Sequence, residues 1–211
     1  LGKSLSKFDI FAFVILIILF GVSTYYYNLL PPEIATHWNA EGVADEFGSK
    51  FMGLFLIPII AAFVYLLLKF IPIIAPNKKN IAKFKDTYSW FMIIMLIFLG
   101  YVHFAGVAYN LGNKFDMTNL IMTPMALVIF YAGALMERAE QNYFIGIKTP
   151  WTLANKTVWK KTHKLGGALF KYSAILILLG KLTPWPIVIF LISVLGSSII
   201  SIVYSYVISK K

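Results

Sequence analysis

Six long apolar runs, at about 8–30, 51–75, 88–111, 120–137, 166–180 and 184–205, dominate this chain. A helix that crosses a bilayer needs about 20 mostly apolar residues. Only 13% of the 211 residues are charged, against about 25% in soluble domains, so the bilayer is the expected solvent. The expectation is an all-α integral membrane protein: one domain over 1–211 with six transmembrane helices. The run at 166–180 is short and is expected to gain length from a helix ahead of it. The first run is expected to be a span rather than a cleaved signal peptide. It is too long, too rich in tyrosine at its end, and lacks a small-residue cleavage site.

Basic residues set the orientation. With the N-terminus inside, Lys3, Lys7, Lys69, Lys78, Lys79, Lys83, Lys85, Arg138, Lys148, Lys156, Lys160, Lys161, Lys164, Lys171, Lys210 and Lys211 fall in the cytoplasm. Only Lys50, Lys114 and Lys181 fall outside. Sixteen against three predicts N-in and C-in. The net charge of +10 is thus a topology signal, and no nucleic-acid partner is expected. Tyr25, Tyr26, Tyr27, Trp90, Trp185, Tyr204 and Tyr206 lie near predicted helix ends, the depth that amphipathic rings prefer. The chain has no cysteine, which excludes disulfides and thiolate metal sites.

The outside segment 31–50 reads as a compact capping loop: Pro31 and Pro32 stop the first helix, and Gly42 and Gly48 supply turns. In that reading His37 and Asn39 bond local backbone and Trp38 packs at the interface. His37, Asn39, Glu41 and Asp45 are also the candidate outer-loop site. One histidine with scattered carboxylates makes His37 a weak metal candidate, because zinc sites usually carry two or more His or Cys. No cofactor is expected. His103 lies about fifteen residues into the third run. An ionisable group inside a membrane is a functional candidate by default, and its bland role is a neutral imidazole bonded to a neighbouring helix.

The longest polar stretch is 142–167, NYFIGIKTPWTLANKTVWKKTHKLGG. Gly146 and Pro150 punctuate an irregular first part. A helix should follow, N-capped by Thr152 or Asn155. On it Trp159, His163, Gly166 and Phe170 share one face that runs into the next span. Lys156, Lys160 and Lys164 share another. Like charges at i+4 repel by a few tenths of a kcal/mol, and anionic headgroups would relieve them. The expectation is a cytoplasmic amphipathic helix lying on the membrane surface between helices 4 and 5. No acid in the segment orients His163, and no HExxH, P-loop or GxSxG occurs. A catalytic site is therefore not expected.

NYFIGIKTPWTL followed by VWKKTHKLGG resembles the hallmark segment of the SdpI family of multi-pass membrane proteins of bacteria and archaea. LPPEIATHWNAEGVADEFGSKF is similar to the loop of a domain of unknown function that often opens such proteins. Lys148 stands where many relatives carry Arg, keeping the charge but not the planar fork. The resemblance implies a plasma-membrane immunity protein that protects against a secreted antimicrobial peptide toxin. It further implies a receptor that holds a small repressor at the membrane. Asn142, Gly146, Thr149, Pro150, Trp151, Trp159, Thr162 and His163 are then the expected partner-binding and signalling residues. Lys156, Lys160 and Lys164 would meet lipid headgroups. The outer candidates, with His103, would meet the peptide. The alternatives are a membrane-embedded enzyme or transporter with a metal or polar site at the outer loop, and a structural or lipid-organising protein.

Overall fold

The computed structural model describes residues 6–210. Lys3 and Lys211, counted above among the inside charges, lie outside the described residues. The elements run α1 (Lys7–Tyr27), β1 (Glu33–Trp38), β2 (Ala44–Ser49), α2 (Lys50–Ile74), α3 (Lys78–Ala82) and α4 (Lys85–Asn110). They continue with α5 (Met117–Arg138), α6 (Pro150–Ala154), α7 (Lys156–Gly180) and α8 (Pro186–Ser209). The fold is mostly helical. Five helices, α1, α2, α4, α5 and α8, are long and apolar enough to cross a membrane. They leave Ile17, Phe63, Ile97, Leu127 and Ile192 exposed while Ser23, His103, Ser197 and Ser201 are buried. An outward apolar and inward polar arrangement suits a lipid solvent.

One sequence expectation holds and one changes. First, the fifth apolar run does gain its length from the helix ahead of it. The basic stretch and the run at 166–180 form one continuous α7 of 25 residues, because nothing between them breaks the helix. Gly166 and Gly167 sit inside it as contact points. Second, the outer loop holds a two-stranded antiparallel sheet, so the chain is not all-α. Ile34 and Thr36 favour extended backbone, and the turn is built by Asn39. Its Oδ1 accepts from the amides of Glu41 and Val43 at 3.1 and 3.0 Å. Gly42 takes φ 74°, a conformation that favours glycine. A bulge at Thr36 breaks the register between Ala35 and His37, which turns the strand.

The chain divides into two compact units. One runs to Leu67 and includes Met92–Pro124; the other comprises Leu68–Phe91 and Met125–Lys211. In the first, Asn110 at the end of α4 clamps the hairpin. Its Oδ1 accepts from the Ala35 amide at 2.8 Å, and its Nδ2 donates to Ala35 O at 3.0 Å and Gly106 O at 2.9 Å. Thr118 of α5 adds a bond to Asn39 O at 3.1 Å, and Lys50 N donates to Pro32 O. Leu30, Ile34, Leu54 and Val107 form an apolar cluster beneath. In the second unit Ala75, Ile81, Phe84, Tyr88, Leu135, Ala139 and Trp159 form the core.

Ser173 of α7 bonds Ser193 O at 2.9 Å and Ser197 Oγ at 2.8 Å. Ser197, Ser201 and Ser205 recur at i, i+4 and i+8 on the buried side of α8. Small polar residues let helices approach closely in lipid. Asn110→Leu leaves two Ala35 backbone groups without partners, at about 1–3 kcal/mol for each group that stays buried. Hydrogen exchange over 33–49 is expected to accelerate at least tenfold, with the helices unchanged.

Candidate functional site

The polar segment folds inward instead of lying on the surface. Asn142 starts it and is fully buried. Its Oδ1 accepts from the amides of Phe144 and Ile145 at 2.8 and 2.7 Å, and its Nδ2 donates to Glu140 O and Ile145 O. A short polar side chain that satisfies a turn's own backbone is what favours Asn there. Thr149 caps α6: its Oγ1 accepts from the Thr152 amide, and Thr152 Oγ1 accepts in return from the Thr149 amide at 2.9 Å. Pro150 occupies the first helical position, where its missing donor costs nothing. Asn155, one of the two expected caps, serves α7 by accepting from Thr157 N and Val158 N.

The centre of the site is His163 stacked on Trp159, with ring centroids 3.9 Å apart and planes 18° from parallel. Trp159 Nε1 donates to Ala139 O at 2.7 Å, which fixes the indole. His163 Nδ1 lies 2.8 Å from Trp159 O, a group that can only accept. His163 Nε2 accepts from Ile147 N at 2.9 Å. Both ring nitrogens are thus assigned: a neutral imidazole with its proton on Nδ1. Gly146 takes φ 111° and leaves no room for a Cβ, which would collide with the His163 ring. Close approach and left-handed backbone together demand glycine here.

Of the residues expected to meet a partner, Asn142, Thr149, Trp159, Thr162 and His163 are buried. That burial corrects the picture of a surface-lying helix: the indole and imidazole are stacked on each other and covered by protein. Pro150 is exposed and Trp151 half-buried, its ring edge-on to Tyr206 at 5.0 Å. Gly146 is half-buried, and Thr162 Oγ1 has no hydrogen-bond partner among the described residues. Lys156, Lys160 and Lys164 remain exposed as a stripe. A cavity of about 480 Å³ opens beside the segment, lined by Phe144, Gly146, Ile147, Lys148, Tyr88 and Phe170 among others. Gly166 and Gly167 allow close contact: a Cβ on Gly166 would press on Ile147, and one on Gly167 would meet Gly133 O at 2.6 Å.

In the other unit His37 and Asp45 do come together, Nδ1 to Oδ1 at 2.6 Å on an exposed face. The Asp45 hydrogen bond and charge hold the His37 imidazole above its usual range, and Glu46 adds to this. Asn39 is engaged in the turn, and Glu41 is exposed. His103 is buried and its Nε2 lies 3.2 Å from Ser23 Oγ, which also donates to Leu54 O at 2.7 Å. No group of three or more His, Cys, Asp or Glu suited to a metal occurs among the described residues. Sequence reasoning passed over Asn110, Ser23 and Gln141, whose Nε2 donates to Thr152 O and Leu153 O at 2.8 Å. A polar residue inside an apolar run was the available signal for Ser23.

Residues 138–205 match the SdpI/YfhL protein family. The chain is also 28% identical, over 207 residues and 97% of each chain, to the immunity protein SdpI of Bacillus subtilis (strain 168). The chain is similar to SdpI-family proteins, and residues 138–205 carry the family's segment. Residues 14–62 match a domain of unknown function, DUF1648, which takes in the hairpin. No solved structure matches the chain. The SdpI match begins at the end of α5 and includes Asn142, Gly146, Trp159 and His163, the residues that build the inward fold.

Two outcomes are expected. Gly146→Ala should destabilise the segment by more than about 1 kcal/mol and expose 142–155 to limited proteolysis. Asp45→Asn should bring the His37 pKa down towards its usual value of about 6.5, read by NMR titration.

Proposed function

We propose that this protein is an immunity protein of a bacterial or archaeal plasma membrane, giving resistance to a secreted antimicrobial peptide. The observation that carries this is the end-to-end similarity to an immunity protein, with 97% of each chain covered. The chain crosses the membrane six times with both termini inside. The sixth span is α7. Its 25 residues rise about 37 Å, enough for a hydrocarbon core of about 30 Å. Its lysines at 156, 160, 161 and 164 sit at one end, where long basic side chains reach the headgroups.

The inward-folded segment is the part that reports. Its stacked Trp159–His163 pair is rigid, and Tyr143, Lys148 and Pro150 are exposed beside the 480 Å³ cavity. A small repressor protein docks on that exposed rim, and the buried residues hold the rim in shape. The outer hairpin carries Glu33, Glu41, Asp45 and Glu46 and faces the peptide.

The orientation is read by single-cysteine labelling, which the cysteine-free chain makes clean. Lys79→Cys and Lys160→Cys should label only from the cytoplasm, Lys114→Cys and Lys181→Cys only from outside. A Lys181→Cys that labels from inside removes the sixth span. Function is read by challenging sensitive cells that express the chain with the secreted peptides encoded beside its gene. Survival is expected, with Lys148→Ala and Trp151→Ala losing the signalling response at unchanged membrane level. Absence of protection against every such peptide overturns the reading.

A further inference from the structure

A second cavity, of about 600 Å³, lies beside the hairpin within the first unit, a size typical of ligand sites. Nearly all of its polar lining is already engaged. Asn110 serves Ala35, Thr118 serves Asn39, and His103 meets Ser23. Thr36 donates weakly to the Glu46 carbonyl at 3.5 Å. Two groups remain. The indole N–H of Trp38, one of the lining residues, is buried with no hydrogen-bond partner among the described residues. The Glu46 carboxylate, also lining, is exposed and makes no hydrogen bond among the described residues. An unmet buried donor asks for an acceptor, and Trp N–H can only donate. Leu56, Ile57 and Ile121 supply an apolar wall.

We propose that this pocket binds an amphipathic segment of a cationic peptide. An apolar side chain lies against Leu56, Ile57 and Ile121, a peptide carbonyl accepts from Trp38 Nε1, and a basic side chain meets Glu46. One short segment supplies all three features. An anionic phospholipid supplies the chain and the carbonyl but carries a net negative headgroup, which Glu46 repels, and a neutral one is tested directly below. The proposal rests on the immunity reading only in taking the occupant to be a peptide.

The full chain, labelled with ¹⁵N-tryptophan in discs of neutral phospholipid, gives five indole N–H signals, of which Trp38→Phe removes one. The probe is an acetylated, amidated hexapeptide alternating leucine and lysine. The Trp38 signal is expected to move downfield on its addition. Binding should weaken at least tenfold in Trp38→Phe and severalfold in Glu46→Gln. A glutamate-for-lysine counterpart should bind at least tenfold more weakly. Trp38→Phe keeps a ring against Tyr109; where it unfolds, the exposed Glu46→Gln carries the comparison.

An unmoved Trp38 signal, equal binding of the acidic peptide, or unchanged affinity in both variants overturns the pocket. A signal moved equally by phospholipid alone, on transfer from detergent to discs, also overturns it. Cell protection that persists in both variants without probe binding leaves the immunity reading standing and removes this site. Specific probe binding with no protection against any secreted peptide does the reverse.

Discussion

The imidazole of His163 is held from two sides, donating to its own helix at Trp159 and accepting from the Ile147 amide. That single ring joins α7 to the irregular chain ahead of α6, and much of the second unit's polar architecture follows from it. It must be neutral for both bonds to exist. Gly146 must lack a side chain for the ring to fit. Trp159 packs on one side of the imidazole and anchors itself on Ala139. One bond pattern therefore accounts for a glycine, a tryptophan and a histidine together.

The same demand recurs in the first unit, where backbone that is not helical must find side-chain partners. Asn110 meets both polar groups of Ala35, and Asn39 meets the amides of its turn. Such bonds are modest when formed and costly when one partner is removed while the other stays buried. The hairpin is thus fixed by a few polar clamps over a small apolar cluster. Trp38 is the exception in this unit: its N–H is buried without an acceptor among the described residues, as the Thr162 hydroxyl of the second unit is buried without a partner.

Several elements were legible in the chain. The five clear spans follow from apolar length, because only long runs can satisfy that criterion. The Asn155 cap and the shared face of Trp159 and His163 follow from residue type and helical spacing. The hairpin was not legible: ADEFGS lacks the apolar and polar alternation of a half-buried strand, and the proline and glycine content reads as loop. The direction in which 142–165 faces was hidden too. A tryptophan and a histidine four residues apart suit a membrane surface as well as a packed core. Spacing alone carries no information about what the face meets.

The sequence by itself determined that this chain is a mostly helical membrane protein similar to the SdpI family, and roughly where its helices lie. Apolar length and local capping are properties of consecutive residues, so they survive without knowledge of neighbours. Only the tertiary structure decided that Asn142, Gly146, Trp159 and His163 form a single buried cluster, and that Asn110 clamps a hairpin 75 positions away. Those outcomes depend on which donor meets which acceptor across long sequence separations. Such pairing is settled by burial and geometry rather than by local pattern.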